Sequence, residues 1–181
     1  MTSFDSGPLA DVSVHSGPDG WALVFVKDFA HPPEKVWRAL TAKDEVGQWA
    51  PFIADRDLDT TGPAVLSMVD GDTVEPATVD IRRVEPPRLL EYDWVGDHLR
   101  WELVATDTGT RLTLTHTHAN RDWMPRLATG WHLCLAVADH LLGGDPVPPI
   151  RGRDALNHGF EKLSESYADT LGIPLPPMPD A

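Results

Sequence analysis

The chain has 181 residues, with 15 Lys+Arg against 28 Asp+Glu and a formal net charge of −13. At this size folding hides roughly 70% of the open chain's surface, enough for one domain with a true core. The acid excess excludes a phosphate-gripping face and argues equally against an anionic membrane surface, so neither nucleic acid nor membrane is an expected partner.

Residues 1–11 carry no periodic pattern and are expected to form a flexible arm. Val12–His15 and Trp21–Phe29 are strand-like runs flanking the turn signal Gly17-Pro18-Asp19-Gly20. Pro32-Pro33 ends the second run, and Pro33 opens a helix from Glu34 through Val36, Trp37 and Leu40. A short helical turn is expected over Asp44–Trp49. From Ile53 to His118 the chain reads as strand, in the runs Ala64–Val69, Ala77–Val84, Leu89–Val95, Leu99–Ala105 and Thr110–His118. Their spacing of about 8–12 residues, with short turns between, predicts an antiparallel meander.

After His118 the period changes. Leu127, Trp131, Leu135, Ala138 and Leu142 fall on one helical stripe, with Asp122 as the expected N-cap and Gly143-Gly144 as the stop. Leu156, Phe160, Leu163, Tyr167 and Leu171 make a second stripe, which predicts an extra helix over 154–171 that packs on its own domain or across a dimer. The end, 173–181, is a Pro-rich tail that cannot be helical. No apolar run reaches about 18 residues, so no spanning helix is expected. The order is α+β, with a single domain over 12–172.

Period-two alternation sorts each strand. Leu90, Tyr92 and Trp94 share a face, as do Leu99, Trp101 and Leu103, and Leu112, Leu114 and His116. An antiparallel sheet with one apolar face needs a cover, and the stripe through Trp131 and Leu135 supplies it. Seven Trp are many for this length. Trp37, Trp94, Trp101 and Trp131 converge with Tyr92 between sheet and helix, where they either fill a core or wall a cavity.

His116 and His118 lie on one strand face, and His-x-His holds Zn²⁺ or Fe²⁺ when a third ligand comes from elsewhere. No CxxC, HExxH or 2-His-carboxylate spacing accompanies the pair, so neither metal nor cofactor is expected. Cys134 sits on the apolar stripe without a basic neighbour, which predicts a buried thiol and not a nucleophile. It is the one cysteine. With no basic-then-apolar leader at the N-terminus, that favours a reducing cytoplasm. No Gly-x-Ser-x-Gly elbow is present, and no catalytic residue is assigned.

The segment Phe29-Ala30-His31-Pro32-Pro33-Glu34-Lys35-Val36-Trp37-Arg38-Ala39-Leu40-Thr41 resembles the start of START/SRPBCC proteins, in the branch homologous to the activator of the heat-shock protein 90 ATPase. Gln48-Trp49, Val84-Glu85-Pro86-Pro87-Arg88-Leu89, Arg100-Trp101-Glu102-Leu103, Thr110–His116 and Gly130-Trp131-His132 continue the series in order. The resemblance implies a helix-grip fold: a curved antiparallel sheet wrapped around a long C-terminal helix, with a deep hydrophobic cavity between. The helix over 154–171 lies beyond that minimal domain. Superfamily members bind lipids or hormones, cyclise polyketides or load chaperones.

The expected function is binding of a small hydrophobic or amphipathic ligand in that cavity. Trp37, Trp94, Trp101, Trp131, Leu114 and Leu135 are its expected lining, with Tyr92 and His116 as hydrogen-bonding handles. The alternatives are a chaperone-related protein-interaction module and a polyketide cyclase- or hydrolase-type enzyme acting in the cavity. Monomer and homodimer both stay open.

Overall fold

A computed structural model describes residues 4–178. β1 (Asp11–Gly17) and β2 (Gly20–Phe29) form a hairpin over the loop Pro18-Asp19. Pro33 opens α1 (Pro33–Thr41), because its fixed φ suits a first helical turn that has no use for its missing N–H. After the extended Ala42 comes α2 (Lys43–Val46). The chain then joins the far edge of the sheet at β3 (Phe52–Ala54). It returns through β4 (Gly62–Asp70), β5 (Thr73–Glu85), β6 (Leu89–Trp94), β7 (Asp97–Thr106) and β8 (Gly109–His118). β8 pairs with β2, giving an eight-stranded sheet of order β1-β2-β8-β7-β6-β5-β4-β3. Every neighbouring pair is antiparallel.

The alternation holds. Leu99, Trp101 and Leu103 of β7 and Leu112, Leu114 and His116 of β8 are buried, while Arg100, Glu102, Thr113 and Thr115 between them are less so. The outer face carries ion pairs, Arg82 with Asp93 and Arg100 with Glu91 and Glu102. Such solvent-facing pairs contribute little, about 0–1 kcal/mol each.

α3 (Met124–Leu142) lies across the apolar face. One stripe understates it: every residue of α3 except Leu127, Gly130, Asp139, His140 and Leu141 is buried. The second cover is α4 (Phe160–Leu171), packed on α3 of its own chain. Two polar pairs join these helices: Ser164 Oγ donates to Thr129 Oγ1 at 3.1 Å, and Tyr167 Oη bonds His132 Nδ1 at 2.7 Å. At the other end Lys35 of α1 donates its Nζ to the Leu142 carbonyl at 2.6 Å, satisfying one of the last acceptors of α3.

Two expected helix ends are corrected. The residue that caps the approach to α3 is Asn120, not Asp122: its side chain accepts the Asp122 N–H at 2.9 Å, and a 3₁₀ turn at Arg121–Trp123 precedes the helix. The α-helix proper starts only at Met124, next to Pro125, whose ring suits a first turn. The helix expected over 154–171 is also broken. Gly152–His158 is a 3₁₀ turn, and Gly159 takes φ +79° before the α-helix begins at Phe160. Glycine adopts that left-handed step without the Cβ clash other residues meet. Leu156 therefore falls off the stripe and is 50% exposed.

Residues 4–10 of the segment expected to be a flexible arm lie against the helices. The Phe4 ring meets that of His140 at 5.6 Å, and the Ala10 N–H donates to Tyr167 Oη at 2.9 Å. In the Pro-rich tail, the Pro176 carbonyl accepts from Arg126. Residues 1–3 of the arm and 179–181 of the tail lie outside the described residues. Among the described residues no helix is long and apolar enough to cross a membrane.

Candidate functional site

The cover over α3 parts at Leu127 and Gly130, and there a cleft of about 170 Å³ opens between helix, sheet and the 150–155 segment. Trp94, His116 and Trp131 wall one part of it, and Leu127, Ile150 and Phe160 another. A β-carbon built on Gly130 would meet no atom within 4 Å, so the missing side chain leaves open space. A groove of about 570 Å³ adjoins the cleft through the shared walls Trp94, His116, Leu127 and Gly152, and extends to Met68, Thr73 and His118. The two spaces together reach the range of ordinary small-molecule sites.

Of the eight residues expected around a cavity, Trp94, Trp131 and His116 line this cleft. Trp37, Tyr92, Trp101, Leu114 and Leu135 are buried in the core and line neither space. Trp49 packs edge-on against Trp101 at 5.9 Å, and Trp101 Nε1 donates to Tyr92 Oη at 3.1 Å. These rings fill much of the room where a deep cavity was expected. Burial, only partly opposed by the bond from Trp101, pushes the Tyr92 hydroxyl far above the tyrosine range, so it stays protonated.

A polar cluster stands at the join of cleft and groove. Asp97, one step beyond the His98–Thr117 pair of the β7–β8 ladder, accepts from His116 Nε2 at 2.6 Å and from His118 Nδ1 at 2.8 Å. From the helix side, Trp131 donates its indole N–H to His116 Nδ1 at 2.9 Å. An indole N–H can only donate, so His116 Nδ1 holds a lone pair and Nε2 holds the proton. The ring is thus neutral and donates to Asp97. Burial works to raise the Asp97 carboxyl, but the bonds from His116 and His118 outweigh it and hold the group below the usual carboxylate range.

The three side chains are close enough to ligate one cation. A metal on His116 Nε2 would need that lone pair, moving the ring proton to Nδ1 and leaving the Trp131 N–H without its acceptor. Ligating histidines normally turn an N–H outward to an acceptor, the reverse of what Trp131 offers. The donor set fits a hydrogen-bond network. Sequence reasoning paired the histidines but missed Asp97. The signal was available in the tight Asp107-Thr108-Gly109 turn, since counting back along both strands sets position 97 opposite 118.

Two arginines also line the cleft. Arg151 donates Nε to the Ala50 carbonyl at 2.8 Å and Nη2 to the Gly47 carbonyl at 2.6 Å. Arg126, in the first turn of α3, donates Nη2 to the Pro176 carbonyl and lies over the Trp123 ring at 5.2 Å. Arg126 Nη1 and Trp94 Nε1 are buried and have no partner among the described residues. Cys134 lines the cleft too. Burial pushes its thiol up to about 12, the Arg151 charge pulling weakly the other way, so it is no nucleophile near neutral pH.

Residues 30–143 match the profile of the family described as Activator of Hsp90 ATPase homolog 1-like protein. A search of curated proteins finds no match. Among solved structures, the conserved protein of unknown function EF2215 from Enterococcus faecalis aligns with a TM-score of 0.66 at 14% identity, covering 88% of this chain and 89% of that one. CalU16 from Micromonospora echinospora aligns at 0.63 and 20% identity, covering 90% and 94%. The protein encoded by gene BPP1335 from Bordetella parapertussis aligns at 0.63 and 22%, covering 94% and 96%. At such identities the likeness speaks for the fold alone. The family profile spans well over half the chain, and the sheet, long helix and segment order agree with it. The chain belongs to the Activator of Hsp90 ATPase homolog 1-like family of the SRPBCC superfamily.

Proposed function

We propose that the protein binds a small hydrophobic or amphipathic ligand in the cleft between α3 and the β6–β8 part of the sheet. The observation that carries this reading is the gap at Leu127 and Gly130: from Met124 to Ala138 α3 is otherwise buried, yet here an aromatic and aliphatic wall faces open space. Apolar surface buried there by a ligand is worth about 25 cal/mol per Å². The test is titration with N-phenyl-1-naphthylamine, a neutral apolar dye that brightens when it leaves water. Saturable brightening is expected with the native chain, and its loss in Gly130→Leu, whose side chain enters the cleft while circular dichroism stays unchanged. No saturable signal, or an equal one in the variant, defeats the reading.

One observation favours a second, catalytic reading of the cyclase or hydrolase kind. Asp97 holds His118 Nδ1, and His118 Nε2 makes no hydrogen bond among the described residues, the arrangement of an oriented general base. His116 cannot serve this way, because both its ring nitrogens are engaged. Esters and polyketide-like substrates should then turn over at a rate that Asp97→Asn and His118→Gln both reduce. Turnover unaffected by either change removes His118 from the chemistry.

A further inference from the structure

Resting on the binding reading above, we infer that the ligand is an amphipath with an anionic head, a carboxylate, received by Arg126 on the wall of the cleft. The chain holds 28 Asp+Glu, yet the residues lining the cleft include two arginines and no acidic side chain. Of the nine arginines elsewhere, six have carboxylate partners with solvent at hand, Arg38, Arg82, Arg83, Arg88, Arg100 and Arg111, while Arg56 bonds carbonyls and Arg121 lies over Trp21. Arg126 is only 8% exposed and pairs with no described carboxylate. The pattern is inverted, since it is the buried charge that most needs a partner.

The residue type fits the task. A guanidinium is planar and always charged, and its N–H fork matches the two oxygens of a carboxylate. One arm of Arg126 is spent on Pro176, and Nη1 is left over. Trp94 supplies a second buried donor without an acceptor on the same cleft. Arg126 also sits in the first turn of α3, where the helix dipole adds positive potential. The adjoining groove carries Asp70, Glu75 and Asp97, which repel an anion. The head therefore belongs at the arginine end.

The experiment compares octanoate, octan-1-ol and octylamine on the native chain, by displacement of N-phenyl-1-naphthylamine, with Arg126→Gln and Arg126→Lys beside it. Octanoate should bind about tenfold or more tighter than octanol, the difference a charge-assisted hydrogen bond makes, and octylamine weakest. Arg126→Gln should bring octanoate down to the level of octanol, both read against that variant's own dye affinity, and Arg126→Lys should keep part of the preference. Octanol binding as well as octanoate, or a preference that survives Arg126→Gln, overturns the anionic head and leaves the cleft reading intact. Failure of the dye itself overturns the cleft reading instead. Where Arg126→Gln does not fold, the native series still decides whether the head is anionic, and a preference undiminished in Arg126→Lys overturns the role of Arg126.

Discussion

Trp131 of α3 and His116 of β8 are joined by an indole-to-imidazole hydrogen bond of 2.9 Å that ties helix to sheet at the cleft wall. Trp131→Phe removes the donor and leaves a buried acceptor unpaired, a loss of about 1–3 kcal/mol before any packing effect. Nitrogen-resolved NMR of the native chain should show His116 protonated at Nε2 and bare at Nδ1. A proton on Nδ1 would contradict the network.

Gly130→Ala should raise stability. The position is helical, its new β-carbon has nothing to strike within 4 Å, and glycine in a helix interior is worse than alanine by about 0.5–1 kcal/mol. Thermal melting checks it: a lower Tm would show that the helix needs glycine there for more than space.

Val95 holds φ +52° in the two-residue turn between Trp94 and Asp97. A β-branched residue is unsuited to the left-handed region, whereas Asn-Gly is the sequence such turns favour. Val95→Asn should therefore stabilise by about 1–2 kcal/mol in urea unfolding. No gain would mean that the turn bears no such strain.

Acid should weaken the fold in two stages. Burial, reinforced by Lys27, holds His132 below the usual imidazole range. The unfolded chain then takes up a proton that the folded chain refuses, so stability falls as pH drops from about 6.5 toward the folded value. Asp97 acts lower down, its contribution present above about 3.9 and lost as pH falls through its depressed folded value. Urea midpoints across pH should show both stages, and His132→Gln should flatten the upper one. An upper stage that persists in the variant would assign it to another group.

The signals that were legible are local ones. Leu99-Trp101-Leu103 and Leu112-Leu114-His116 alternate on their own strands, and Pro33 and Gly172 mark helix ends without help from the rest of the chain. What stayed hidden depends on distant partners or on an absence. α3 is buried on its outer side by residues 4–10 and by α4, and no periodicity within 124–142 reports that cover. Arg126 reads as an ordinary surface cation until the tail brings the Pro176 carbonyl to it and leaves it buried. Gly130 contributes no side chain, so a hydrophobicity pattern passes over the very position that leaves the cleft open. Trp101 and Trp94 look alike in sequence, yet one meets Trp49 and fills the core while the other lines the cleft.

The guanidinium of Arg151 grips the carbonyls of Gly47 and Ala50, a hundred residues back along the chain. Because Arg151 also borders the cleft, the tether that fastens the α2 loop is at the same time part of its wall. A shorter residue at position 151 would free the carbonyls of Gly47 and Ala50 and remove that stretch of wall in one change. The shape of the cleft and the anchorage of the loop are therefore inherited together, through one side chain.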